Sequence, residues 1–136
     1  MAGLSRDGVA GKRAVRAGWV LSALVILFFL MDGVMKFVAP APVIETTAAL
    51  GWPTTPGTLG LLGALALGGA LLYAIPRTAF LGAILLTGYL GGAVATHVRI
   101  GSPLFSHILF GVYLGVALWG GLWLRDARVR ALLPIG

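Results

Sequence analysis

Residues 18–38 read GWVLSALVILFFLMDGVMKFV, and this stretch decides the class of fold. Twelve of its residues are Val, Leu, Ile or Phe. Each of these favours insertion of a helix into a bilayer by roughly 0.3–0.6 kcal/mol, whereas a central Asp opposes it by about 3 kcal/mol. The apolar residues therefore outweigh Asp32, and the stretch is long enough to cross a hydrocarbon core of roughly 30 Å. We predict a membrane-spanning helix.

The rest of the chain has the same character. Of its 136 residues, 59% are hydrophobic and 10% are charged, against about 25% charged residues in an average soluble domain. Short segments containing Pro76 and Pro103 separate three further apolar stretches. The pattern predicts an all-α, four-helix transmembrane bundle over residues 18–123, with spans at about 18–38, 58–75, 79–98 and 104–123.

The segment between the first and second spans is punctuated by prolines at positions 40, 42, 53 and 56. Within it, residues 43–50 place apolar Val43, Ile44 and Leu50 beside the polar residues 45–47. Two helical turns of this composition are typical of a helix that lies at the membrane surface. We predict a short interfacial helix, and a structureless loop stays open as the alternative.

The basic residues predict the orientation. With four spans, both termini lie on one side, together with eight of the ten Lys and Arg residues: Arg6, Lys12, Arg13, Arg16, Arg77, Arg125, Arg128 and Arg130. Only Lys36 and Arg99 lie on the other side. Because basic loops stay in the cytoplasm, we expect a multi-pass protein of the cell (plasma) membrane with basic cytoplasmic tails at 1–17 and 124–136. The net charge of +6 is then an orientation signal, and no nucleic-acid partner is expected.

Small residues recur at a spacing of four along the later spans. The pairs are Ala64 and Gly68, Gly88 and Gly92, and Gly111 and Gly115. Such pairs allow two helix backbones to approach closely in lipid. We predict that these faces pack inside the bundle; a homodimer or another membrane-protein partner on the same faces stays open.

Several polar residues fall at one depth near the outer surface. Lys36 and His97 both lie 18 residues into spans that run outward, His107 lies one turn into the span that runs back, and Asp32 lies one turn below Lys36. Ionisable residues inside a span are costly, so they are candidates for function. The predicted pocket consists of Asp32, Lys36, Tyr89, Thr96, His97, Arg99 and His107.

Three interpretations of this layer stay open. The polar residues line an outward-facing pocket for a small polar molecule or a quinone headgroup. Alternatively, Asp32 and Lys36 form an ion pair whose lysine reaches the lipid headgroups. A metal site built from Asp32, Glu45, His97 and His107 is the third, although their spacing is not diagnostic. The chain has no Cys and only two His, which favours a non-enzymatic role with no cofactor, quinone excepted.

Five motifs occur along the chain in this order: FFLMDGVMKFVAP (28–40), LGWP (50–53), AIPRTAFLGA (74–83), ATHVRIGSP (95–103) and LWLRDARVRALLP (122–134). Together they resemble the DoxX-like family of small bacterial membrane proteins. The resemblance runs from Val15 to Pro134 and implies a four-helix transmembrane bundle. The family takes its name from a subunit of an archaeal thiosulfate:quinone oxidoreductase. Some of its relatives are linked to membrane-associated thiol and superoxide defence, and others to receptor assembly or cargo export.

The resemblance and the residues together leave three functions. The first is a non-enzymatic accessory protein or complex subunit with an outward-facing polar pocket. The second is a quinone-interacting component of a membrane oxidoreductase system; because the chain lacks Cys, any thiol step would belong to another subunit. The third is a small-molecule transporter, which the apparent absence of a broken helix or inverted repeat disfavours.

Overall fold

The computed structural model describes the backbone of residues 2–132 and the side chains of residues 11–132. Parts of both predicted tails, including residue 1 and residues 133–136, lie outside the described residues. The chain forms helices α1 (Ala2–Val38), α2 (Ala41–Ala49), α3 (Pro56–Ala74), α4 (Ala79–Arg99), α5 (Leu109–Arg125) and α6 (Ala127–Leu132). A π-helical turn, Leu104–Ile108, leads directly into α5.

Four helical segments are long and apolar enough to cross a membrane: Gly11–Val38, Pro56–Ala74, Ala79–Arg99 and Leu104–Arg125. Their bounds agree with the predicted spans to within a few residues at most ends. The all-α, four-span bundle is therefore confirmed. The first helix differs from the prediction at its start, because it continues back to Ala2; residues 11–17 are mostly Ala, Lys and Arg, which favour helix.

The short helix between the first two spans is also confirmed, as α2. Its threonines bond back along the helix, Thr46 to the Pro42 carbonyl and Thr47 to the Val43 carbonyl, both at 2.7 Å. The chain then reverses at Gly51, whose φ of +84° is a left-handed conformation that glycine adopts freely. This reversal brings α3 back beside α1.

The four long helices form a ring. Helix α1 packs against α3 and α5, and α4 packs against the same two helices, so α1 and α4 occupy opposite corners. Buried side chains from all four helices, among them Phe29, Ala66, Tyr73, Leu86 and Leu118, form one core. The connections 39–55 and 100–103 lie at one end of the ring, called here the cavity half. The connection 75–78 and α6 lie at the other end, called the terminal half.

Glycines do bring the helices together, but largely not the predicted ones. A Cβ on Gly63 would lie 2.9 Å from the Gly33 carbonyl oxygen, and one on Gly121 would lie 3.0 Å from the Gly18 carbonyl oxygen. Of the glycines in the predicted pairs, only Gly111 meets a neighbour: a Cβ there would lie 2.7 Å from the Val94 side chain.

The packing prediction is wrong for Gly68, Gly88, Gly92 and Gly115, because a Cβ on any of them would meet nothing within 4 Å. Spacing places small residues on one face of a helix. It does not say whether a neighbouring helix approaches that face.

Candidate functional site

A cavity of about 440 Å³ lies between the long helices in the cavity half. Six of the seven predicted pocket residues line it: Asp32, Lys36, Tyr89, Thr96, His97 and His107. The α2 residues Thr46 and Thr47 and the following Leu50 and Trp52 line its end wall. The fold therefore gathers the predicted polar layer around one space, and ligand binding by these residues stays a prediction.

Asp32 lies at the centre of the polar contacts. Its Oδ1 is 3.5 Å from Lys36 Nζ, one turn along α1, and its Oδ2 accepts a hydrogen bond of 3.1 Å from the Tyr89 hydroxyl. Tyr89 also packs edge-on against Phe29, with ring centroids 6.0 Å apart. The carboxylate thus has a partner on each oxygen, and the Tyr89 bond ties α4 to α1 across the ring.

Lys36 is less fully satisfied than Asp32. Among the described residues its Nζ has one polar partner, Asp32, at a distance that is long for a hydrogen bond. An ammonium group has three N–H donors, and the Lys36 side chain is only 17% exposed. Lys36 therefore presents unused donors to the cavity. The Asp32–Lys36 ion pair is part of the cavity wall, so two of the three interpretations, the ion pair and the pocket, describe the same site.

The two histidines form the polar edge of the cavity. Their rings meet edge to face, with centroids 5.6 Å apart. His97 Nδ1 is 2.9 Å from Ser102 Oγ, and His107 Nδ1 is 2.7 Å from Ser106 Oγ. Within the described residues, neither Nε2 has a hydrogen-bond partner. The π-helical turn that begins after Pro103 carries His107 to this position, and this turn was not predicted from the sequence.

The remaining two predicted residues have structural contacts. The Thr96 hydroxyl donates its proton to the Gly92 carbonyl at 2.8 Å. Thr96 therefore forms part of the wall but has no hydroxyl proton left to donate to a ligand. Arg99 does not line the cavity. Its guanidinium donates to the Leu50 carbonyl at 2.9 Å and passes so close to Gly51 that a Cβ there would lie 2.6 Å from Nη2. Arg99 therefore fastens the end wall to α4.

Much of the cavity wall was not predicted from the sequence. The aromatic residues Phe28, Phe29, Trp52 and Phe110 line it, as do Gly88 and Gly92. The aromatic residues have the periodicity of ordinary core residues, so nothing in the sequence distinguished them as cavity-lining. The described residues contain no group of three or more Asp, Glu or His side chains that could hold a metal ion.

The terminal half is filled by a hydrogen-bonded core. Arg125 Nε donates to Ser22 Oγ at 2.9 Å, and its Nη2 donates to the Tyr73 carbonyl at 2.6 Å. The Tyr73 hydroxyl bonds to Ser22 and to the Leu118 carbonyl, and Arg125 also stacks on Trp19 at 4.1 Å. Because Ser22, Tyr73 and Leu118 are completely buried, this core closes that end of the bundle.

Comparison with known proteins agrees with this architecture. No curated protein and no solved structure matched the chain. A model of the DoxX-like family matches residues 20–121, which include α2, α3 and α4 in full, about half of α1 and most of α5. With its four membrane-spanning helices, the chain belongs to the DoxX-like family of integral membrane proteins.

Proposed function

We propose that this protein is a non-enzymatic accessory protein or complex subunit that binds a small lipophilic molecule in the cavity, through an oxygen acceptor on that molecule. The observation that carries the proposal is Lys36, a mostly buried cation with unused donors beside an Asp32 whose two oxygens already have partners. A ligand that accepts hydrogen bonds completes this group, because an ammonium has three N–H donors and Lys36 has one long contact.

The shape and lining of the cavity support a largely apolar ligand. Its volume of about 440 Å³ lies within the roughly 300–1,000 Å³ typical of small-molecule sites. Apolar residues, among them aromatic and leucine side chains, form most of the wall, and the polar groups include Asp32, Lys36 and the two histidines. This combination suits a ligand with an apolar body and one polar head.

The polar groups do not form a complete catalytic set. The His97–Ser102 and His107–Ser106 pairs are within hydrogen-bond distance, which is the first requirement of an activated hydroxyl. Within the described residues, however, no carboxylate hydrogen-bonds to either histidine to orient it. The proposal therefore assigns binding and no reaction to this site.

A quinone is the second candidate ligand. It has a planar ring with acceptor oxygens, and the cavity offers Lys36, His97 and His107 as donors beside the aromatic rings of Phe29 and Phe110. A lysine or histidine that donates to a quinone carbonyl is suited to proton-coupled chemistry. Transport is less well supported, because the Arg125 core closes the terminal half and a conduit would have to break it.

Native mass spectrometry tests the binding proposal. The protein is purified in mild detergent from its own membrane, and bound small molecules and proteins are identified in the same sample. Lys36→Met removes the charged donor, and Arg77→Met is the matched control on the exposed turn of the terminal half. A charged hydrogen bond contributes about 1.5–3 kcal/mol, so Lys36→Met should weaken binding by about 10- to 150-fold, while Arg77→Met binds normally.

The same preparation distinguishes the ligand classes. Titration with decylubiquinone tests the quinone candidate, with bound probe counted by mass. Tight binding of this probe that depends on both Lys36 and His97 favours the quinone role. Equal occupancy in the wild type and Lys36→Met would contradict the proposal, as would a wild-type protein that carries neither a bound small molecule nor a protein partner.

A further inference from the structure

The seam between α3 and α4 is closed at one level and open at the next. Where it is closed, a Cβ on Gly69 of α3 would lie 2.5 Å from Leu86 Cδ2 and 3.6 Å from Leu85 Cδ2 of α4. The face of α3 that carries Gly69 continues toward the cavity half through Leu65 and Leu62, four and seven residues away. These two leucines line the cavity.

On α4, the face that carries Leu85 continues through Gly88 and Gly92. Both glycines are exposed, and a Cβ on either would meet nothing within 4 Å. At Gly88 and Gly92, therefore, α4 has no side chain to fill the seam that Leu85 fills about one turn before Gly88.

The direction of Gly88 shows that the opening reaches the surface of the bundle. Leu86 and Leu90, each two residues away, are buried, so Gly88 lies about 200° around the helix from either of them. It therefore faces away from the core. Because Gly88 also lines the cavity, the cavity extends through the seam to the outside of the ring.

The opening lies at the depth of the hydrocarbon. Gly88 is near the middle of the span Ala79–Arg99, and Leu65 is near the middle of the span Pro56–Ala74. A molecule that passes through the seam comes from the bilayer and not from water. The end wall of α2 and Trp52 lies over the aqueous end of the same cavity.

We infer that the seam between Leu62 and Leu65 of α3 and Gly88 and Gly92 of α4 is a lateral portal for a single-chain amphiphile. The acceptor headgroup of the amphiphile contacts Lys36, and its hydrocarbon chain passes out between the leucines of α3 and the glycines of α4 into the bilayer. This inference rests on the binding function proposed above and adds the class of ligand and its route.

The continuity of the portal with the cavity favours a hydrocarbon chain over a partner helix. Two glycines one turn apart can receive either occupant, but the gap opens into a cavity whose far wall is polar. A docked helix would cover the gap and leave the unused donors of Lys36 without a further acceptor, whereas an amphiphile fills the gap and supplies that acceptor.

Photolabelling in lipid nanodiscs tests the portal. The probe is palmitic acid that carries a diazirine in the middle of its chain, and mass spectrometry maps the labelled residues. In the wild type we expect labels on α3 and α4 around Leu62, Leu65 and Gly92. The double variant Gly88→Leu/Gly92→Leu fills the seam and should reduce labelling at least tenfold. Gly91→Leu is the matched control, since Gly91 is also exposed and uncontacted but lies outside the cavity wall.

Lys36→Met separates this inference from the binding function. If the probe binds, if Lys36→Met weakens it, and if the double variant binds as the wild type does, the portal is refuted and the binding function stands. If the wild type takes up no probe, both fail for this class of ligand. Crosslinks between two copies through Gly88 and Gly92 would also refute the portal, because the seam would then be a helix-docking face. Equal thermal unfolding of the double variant and Gly91→Leu shows that the added leucines leave the fold intact.

Discussion

The substitution Gly82→Ala tests the closed part of the bundle most directly. Gly82 is buried where α4 begins beside the end of α3. A Cβ there would lie 2.3 Å from the Tyr73 nitrogen, 2.7 Å from the Tyr73 Cα and 2.8 Å from the Leu72 carbonyl carbon. All three atoms belong to the backbone, so no rotamer change relieves the overlap, and the two helices must move apart.

The size of this movement sets the expected effect. Carbon atoms in contact lie about 3.5–4.0 Å apart, so the closest overlap requires a shift of about 1 Å in helices that pack along their whole length. Inserting one carbon into a packed interior costs about 1–3 kcal/mol, and an overlap with backbone places this site in the upper part of that range. Alanine also gains about 1 kcal/mol in helix propensity over glycine.

Gly91→Ala is the matched control, because it gains the same propensity on the same helix and meets nothing within 4 Å. The difference in unfolding free energy between the two variants is then the cost of the overlap alone, about 2–3 kcal/mol. Reversible unfolding in mixed micelles, followed by Trp fluorescence, measures this difference. Equal stability of Gly82→Ala and Gly91→Ala would refute the assignment of Gly82 to the helix contact.

Two further predictions concern polar groups at the terminal end. Tyr73→Phe removes a buried hydroxyl that bonds to Ser22 and to the Leu118 carbonyl, and it should cost about 1 kcal/mol in the same unfolding assay; no loss of stability would argue against the hydrogen-bonded core. The hydrogen bonds from Arg128 lower the pKa of Asp126, so this carboxylate stabilises the fold above its ordinary pKa, and the contribution is lost as the pH falls through the lowered value. An NMR titration should place the Asp126 midpoint below that of a free aspartate, and Arg128→Gln should raise it; an unchanged midpoint in the variant would refute the pairing.

The sequence predicted the spans because insertion into lipid depends on summed hydropathy and length, which are local properties of the chain. It also predicted which polar residues share a depth, since rise along a helix is fixed at about 1.5 Å per residue. Asp32, Lys36 and His97 therefore came together around the cavity as expected. Depth does not determine direction around the axis, and Arg99 lies outside the cavity wall for that reason.

The cavity wall depended on relations between helices that no single segment contains. Gly82 and Gly88 lie on the same helix and have the same side chain, yet one contacts the α3 backbone and the other contacts nothing. The difference arises from direction around the axis, because Gly88 lies about 120° around the helix from Gly82, so only Gly82 faces the α3 backbone. A pattern of small residues identifies where helices can approach, and the side chains opposite decide whether they do.

The two halves of the bundle consequently permit independent changes of stability and binding. The terminal half is closed by backbone contact at Gly82 and by the Arg125 hydrogen bonds, whereas the cavity half is held across the ring by the Asp32–Tyr89 bond and leaves Lys36 unsatisfied. Effects of substitutions that share no partners are normally additive. Gly82→Ala should therefore lower the unfolding free energy without changing ligand occupancy in the folded protein, whereas Lys36→Met should lower occupancy, and the stability it loses with the Asp32 contact should add independently to the Gly82→Ala loss. If binding and packing used the same contacts, the effects of the two substitutions would be coupled. Additive effects in the double variant Gly82→Ala/Lys36→Met would therefore indicate that the two halves are independent.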